Sequence, residues 1–184
     1  MPVQTPICDF GQKALPFELK STENKIISLD DIKGENGTLI MFICNHCPYV
    51  KVVTREILED CNELKKIGIN SVAICSNDFV NYPEDSFDNM IKFSNVNQFS
   101  FPYLHDETQE VAKSYDAVCT PDFFGYNKNL ELQYRGRLRE LKNFIPVKDG
   151  ESDLLKAMKQ IVETGNGPQD QIPSAGCGIK WKYD

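Results

Sequence analysis

The chain has 184 residues, with 41% hydrophobic residues and a formal net charge of −7 from 20 Lys and Arg against 27 Asp and Glu. The length suits a single core, and the acidic balance excludes a nucleic-acid binder, which needs a concentrated basic surface. Met1 to Pro6 hold no basic head leading into an apolar run, and no stretch approaches a bilayer-spanning length, so a soluble, cytoplasmic protein with no membrane partner is expected.

In chain order, Phe17, Leu19, Ile26, Ile27 and Leu29 flank the polar turn Ser21 to Lys25 and predict an N-terminal β-hairpin. Gly34 and Gly37 break the chain before Thr38 to Ile43, an unbroken apolar run suited to a central strand buried on both faces. Beyond Pro48, apolar residues at Val50, Val53, Ile57, Leu58, Cys61, Leu64 and Ile67 recur at helical steps up to Gly68. Ile69 to Cys75 predicts a second buried strand, making a strand-helix-strand crossover. A helix follows over about Ser86 to Val96, then a short edge strand at Phe101 to Leu104 and a helix over Glu107 to Tyr115. Phe123 to Tyr126 and Leu130 to Tyr134 surround Asn127-Lys128-Asn129 as a hairpin. Ser152 to Val162 closes as an amphipathic helix ended by Gly165. The remainder, 166–184, lacks periodicity but contains Cys177 and Trp181, the only tryptophan, so it is expected to be irregular and to dock back on the domain.

Seven cysteines (Cys8, Cys44, Cys47, Cys61, Cys75, Cys119, Cys177) are an odd and scattered set, unlike a secreted disulfide framework. Only Cys44 and Cys47 are close, in Cys44-Asn45-His46-Cys47-Pro48, where a buried strand meets a helix. At that position unpaired N–H groups and the helix dipole favour a thiolate, and a second sulfur one turn away resolves a mixed disulfide. The expectation is that the more exposed Cys44 attacks and Cys47 resolves, with a protonated His46 adding positive charge beside them. Short Cys spacing also occurs in metal-binding loops, which is the alternative for the pair.

The segments Cys44 to Lys51, Ser76-Asn77-Asp78, Phe101 to Gln109, Cys119-Thr120-Pro121-Asp122 and Gly176 to Lys182 together resemble the peroxiredoxin-like branch of the thioredoxin superfamily, of the redoxin or thiol-specific-antioxidant type. The resemblance implies an α/β, three-layer thioredoxin-like fold: a central mixed β-sheet flanked by helices, with the hairpin and irregular tail as additions. Residues 1–165 would form the redoxin domain and 166–184 the docked tail. It also implies an extra strand and helix between the two halves of the core, and a cis Thr120–Pro121 bond that sets Thr120 and Pro121 against the cysteine pair. In peroxiredoxins the peroxide-reducing cysteine falls where Cys47 stands, but a threonine occupies the place of Cys44 and a proline that of Ile40, so the peroxide cradle is incomplete.

The function these readings imply is a thiol-disulfide oxidoreductase without a cofactor. Its partners would be a disulfide-containing protein or small molecule and a recycling reductant, the chain acting as monomer or homodimer. A peroxidase using Cys47, with Arg135 assisting, is one alternative; Arg135 as a solvated hairpin arginine is the plain reading of that residue. A zinc or copper module built on Cys44, Cys47, Cys119 and Cys177 is another alternative. Cys119 is either a resolving thiol or a small buried residue, and Cys177 either an extra redox thiol or a harmless tail residue. Asp78 is either a proton-transfer carboxylate beside the pair or a loop cap. Cys61 and Cys75 read as structural, and His105 as a helix-entry residue.

Overall fold

The structure is a computed structural model that describes residues 1–183. Its strands are β1 (Val3–Gln4), β2 (Glu18–Ser21), β3 (Ile26–Ser28), β4 (Gly37–Phe42), β5 (Ile69–Cys75), β6 (Tyr103–His105), β7 (Cys119–Thr120), β8 (Asp122–Asn127), β9 (Leu132–Tyr134), β10 (Leu141–Lys142), β11 (Ile145–Pro146) and β12 (Ala175–Gly178). The helices are α1 (Leu29–Ile32), α2 (Pro48–Lys66), α3 (Phe87–Val96), α4 (Glu110–Ser114) and α5 (Asp153–Thr164), with one 3-10 turn at Pro83–Asp85.

The apolar run of β4 is buried along its whole length because it lies inside a seven-stranded mixed sheet of order β3-β2-β6-β5-β4-β8-β9. It pairs in parallel with β5 and antiparallel with β8. Alternation divides its side chains: Leu39 and Met41 enter a core with α2, α3 and α5, while Ile40 and Phe42 enter a second core with α1 and α4. The result is three layers, helices on both faces of the sheet.

The hairpin β2–β3 is the edge of this sheet, and its presence changes the position of β6. The segment Phe101 to Leu104, expected at an edge, yields a strand over Tyr103–His105 that lies between β2 and β5, because β2 pairs with it on the outer side. The helix expected over Glu107 to Tyr115 is only Glu110–Ser114, since Asp106 to Gln109 form a turn in which Gln109 has φ +67°. Most of the tail has no regular structure, but β12 pairs antiparallel with β1 and with β7, forming a separate three-stranded sheet. Among the described residues, no helix is long and apolar enough to cross a membrane.

Candidate active site

The end of β4 and the start of α2 set the two sulfurs. Cys44 follows β4 by two residues, Cys47 is the N-cap of α2, and Pro48 occupies the first turn, where its missing N–H costs nothing. Both cysteines are sealed: Cys44 is 1% and Cys47 0% exposed, so Cys44 is not the more open of the two. Thr120 reaches both from β7, its hydroxyl 3.4 Å from Cys44 Sγ and its carbonyl oxygen 3.2 Å from Cys47 Sγ. The Thr120–Pro121 bond is cis.

The pair shares a proton, and the acidity is arranged opposite to expectation. The Cys44 thiol hydrogen-bonds the Cys47 sulfur, and this, with smaller help from Cys177 and Thr120, holds Cys47 well below the ordinary thiol range against the cost of burial. Cys44, which gives that hydrogen bond, is pushed far up by it and by burial, and the Asp85 carboxylate adds to the rise. Cys47 is therefore the more acidic sulfur of the pair, at the N-terminal end of α2 where the helix dipole also favours negative charge.

Asp85, on the 3-10 turn after β5, is a site residue that no sequence motif marked. Its side chain is fully buried. One oxygen accepts the Asn45 N–H at 2.7 Å; the other accepts the Asn77 amide at 2.8 Å and stands 2.6 Å from His46 Nδ1. Asn45 is further held by the Tyr103 hydroxyl at 2.8 Å, and its own amide donates to the Glu84 carbonyl at 3.0 Å. Asp85 thus fixes the two residues between the cysteines, while the His46 ring lies parallel to Tyr82.

The remaining candidates lie apart from the sulfur pair or serve structure. Asp78 is not beside the pair: it caps its own loop, accepting from Val80 N–H at 3.0 Å and from the Asn81 amide at 2.5 Å. Arg135 is neither solvated nor aimed at Cys47. It is buried against Asp122 at 3.0 Å, donates to the Asp116 carbonyl at 2.7 Å and covers the Phe124 ring. Cys119 directs its sulfur at the Pro121 carbonyl, 3.6 Å away, and burial pushes its thiol up. His105 ends β6 between the rings of Phe79 and Phe87, and burial lowers its pKa. Cys61 and Cys75 lie in the core, where burial pushes both thiols up to about 12.

The four cysteines proposed as a metal site do not gather as ligands. Among the described residues the set whose donor atoms lie within 4.8 Å of one another is Cys44, His46 and Asp85. The Asp85 oxygens are already occupied by Asn45, Asn77 and His46, so that set serves to orient the loop between the cysteines.

Cys177, in contrast, is drawn to the pair. It is the cross-strand partner of Thr120, is half-buried, and packs against the core that contains Cys44 and Cys47. Its side chain and backbone both favour the ionised Cys47. The strand reaches this position because Gly176 leaves room: a Cβ there would lie 2.0 Å from the Thr120 carbonyl oxygen. Farther along, the tail is tied to the motif segments. The Asn77 Oδ1 accepts Lys180 N–H at 2.9 Å, the Lys180 carbonyl accepts from Asp78 N–H at 2.7 Å and the Gln109 amide at 2.8 Å, and Lys182 N–H donates to Gln109 Oε1 at 2.9 Å.

The solved structures that resemble this one fall into two groups. An uncharacterized conserved protein from Geobacillus kaustophilus is 43% identical, with a TM-score of 0.93 over 100% of this chain and 98% of the other. A hypothetical protein from Sinorhizobium meliloti is 30% identical, with a TM-score of 0.89 over 98% of each chain. At 17% identity, the thioredoxin domain of a thiol-disulfide oxidoreductase from Bacteroides vulgatus shares the fold, with a TM-score of 0.63 over 83% of this chain and 97% of the other. No curated protein sequence matches the chain. The AhpC/TSA family pattern matches residues 10–141. The chain is therefore a member of the AhpC/TSA family, a redox protein of the peroxiredoxin-like branch built on a thioredoxin fold.

Proposed function

We propose that this protein is a thiol-disulfide oxidoreductase that cycles Cys44 and Cys47 between dithiol and disulfide. The observation that carries the reading is the pair itself: two sulfurs at the mouth of α2 sharing one proton, with Thr120 touching both. The Cys47 thiolate attacks one sulfur of a substrate disulfide, whose other sulfur leaves as a thiol. Cys44 then attacks Cys47 Sγ, which breaks the mixed disulfide, releases the second substrate thiol and leaves a Cys44–Cys47 bond. A dithiol reductant reverses the last bond and readies the protein for another cycle.

A groove beside Pro121, lined by Tyr49, Val53, Phe123, Leu138, Pro173 and Ala175, offers a partly apolar bed for a disulfide-bearing protein segment. The setting proposed is a reducing cytoplasm, where such a couple works catalytically. Peroxide reduction at Cys47 is the weaker reading, because Arg135 is engaged by Asp122 and Cys44 takes the place of the usual threonine.

Insulin reduction driven by dithiothreitol tests the proposal. Activity should vanish in both Cys44→Ser and Cys47→Ser. Undiminished turnover in either variant would remove the two-cysteine couple, and peroxide consumption that survives in Cys44→Ser but is lost in Cys47→Ser would replace it with a peroxidase.

A further inference from the structure

The groove beside Pro121 adjoins the sulfur pair. Tyr49 and Val53 in its lining come from the first turns of α2, directly after Cys47, and Pro121 follows Thr120, whose carbonyl oxygen lies 3.2 Å from Cys47 Sγ. The segment between β9 and β10 adds Arg137, Leu138 and Arg139 to the lining. On a chain of formal charge −7, the charged side chains lining this groove among the described residues are the two arginines, with no acidic residue beside them.

Both arginines keep capacity for an anion. The chain has four arginines, of which Arg55, Arg135 and Arg137 pair with Glu59, Asp122 and Asp153. Among the described residues Arg139 pairs with no carboxylate. Its terminal nitrogens donate to the carbonyls of Val147 at 2.7 Å and Gly150 at 3.3 Å, and its buried Nε–H has no acceptor. Carbonyl dipoles hold this guanidinium in place but carry no net charge to cancel its own. Arg137 gives its Nε–H to Asp153 at 2.6 Å, while its two terminal nitrogens make no hydrogen bond to any described residue and the side chain is 26% exposed. That leaves a planar pair of N–H donors, the geometry that takes a carboxylate on two parallel hydrogen bonds. The backbone here is fixed: Arg137 N–H donates to the Ile172 carbonyl at 2.7 Å, and the Arg137 carbonyl accepts the Tyr134 hydroxyl at 2.6 Å. Little ordering is then needed when a ligand arrives.

We propose that this groove selects disulfides carried on an acidic peptide segment, with Arg137 binding a carboxylate and Arg139 adding positive charge to the groove. The inference rests on the Cys44–Cys47 reading above and names the class of substrate for that couple. Val53, Phe123 and Leu138 give the groove apolar surface for the uncharged side chains of such a segment. A basic segment would bring like charge to two arginines and is disfavoured.

Three peptides of one sequence test it, each a homodimer joined by a single disulfide, with glutamates, glutamines or lysines flanking the cysteine on both sides. Dithiothreitol recycles the protein, the released monomer is measured by chromatography, and the uncatalysed rate is subtracted. For the wild type, kcat/KM should be about tenfold higher with the glutamate peptide than with the glutamine peptide, the size of one charge-assisted contact, and lowest with lysine. The difference should lie in KM and shrink in about 1 M salt, where the screening length is about 3 Å. Arg137→Gln should bring the glutamate-to-glutamine ratio to about two or less. Equal turnover of the three peptides by the wild type, or a glutamate preference undiminished in Arg137→Gln, would overturn the acidic selectivity and leave the two-cysteine couple standing. Failure to reduce any of the peptides would overturn both. The wild-type series and its salt dependence decide the matter even if the variant does not fold.

Discussion

Cys177 and Thr120 are cross-strand partners, and Thr120 is the residue whose carbonyl stands 3.2 Å from the Cys47 sulfur. The last strand of the chain is therefore part of the wall of the redox site, and its fit there depends on a missing side chain one residue earlier.

Gly176→Ala places a methyl group where the Thr120 carbonyl oxygen is 2.0 Å away, and neither atom is the end of a flexible side chain. The substitution should cost about 1–3 kcal/mol through overpacking, chiefly by loosening the tail. Limited proteolysis should then cut the segment after Gly165 much faster than in the wild type.

Cys47 should titrate below the ordinary thiol range, as followed by ultraviolet absorbance of the thiolate. Its alkylation rate should therefore level off at a lower pH than that of an ordinary thiol. The hydrogen bond from Cys44 is the largest cause of the lowering, so Cys44→Ala should move the midpoint up toward the ordinary thiol value of about 8.5 and give a rate that climbs with pH.

The Asp60 carboxyl, buried between α2 and the start of α5 and bonded by the Ser152 hydroxyl at 2.5 Å, is pushed up to about 6 by burial. A raised carboxyl pKa means that folding favours the protonated form. The stabilisation is complete below the ordinary value of 3.8 and is lost as pH rises through about 6. Asp60→Asn should remove that slope and be more stable than the wild type at pH 7 by about 1–3 kcal/mol, as read by urea denaturation at pH 5 and pH 7.

Arg135 and Asp122 form a buried pair at 3.0 Å, with side chains 6% and 0% exposed. Burial pushes the Asp122 carboxyl up and Arg135 holds it back, so removing the arginine leaves an uncompensated acid in the core. Arg135→Met should cost about 3–5 kcal/mol, and the double variant Arg135→Met/Asp122→Asn should recover part of it, measured by urea denaturation.

Much of the architecture is legible in local pattern. The apolar run before Cys44 is a fully buried strand, the helical spacing after Pro48 becomes α2, and the expected turn residues Lys128 and Asn129 lie between β8 and β9. Periodicity reports such elements because burial acts on each side chain in proportion to its own surface. The neighbourhood of the cysteines was less legible. Asp85, thirty-eight residues after Cys47, has no spacing relation to it, and only the folded loop after β5 turns Asp85 inward while Asp78 caps its own turn.

The amino-acid order alone determined that two cysteines sit at a strand-helix junction, since hydrophobic period and a proline at the helix start are local properties. Which of the two sulfurs carries the charge, and which third thiol stands beside them, was decided by tertiary contacts. The acidity of a buried thiol depends on the donors and charges around it; here the largest donor, Cys44, is three residues away, but Thr120 and Cys177, which add to it, come from β7 and β12, more than seventy residues away along the chain.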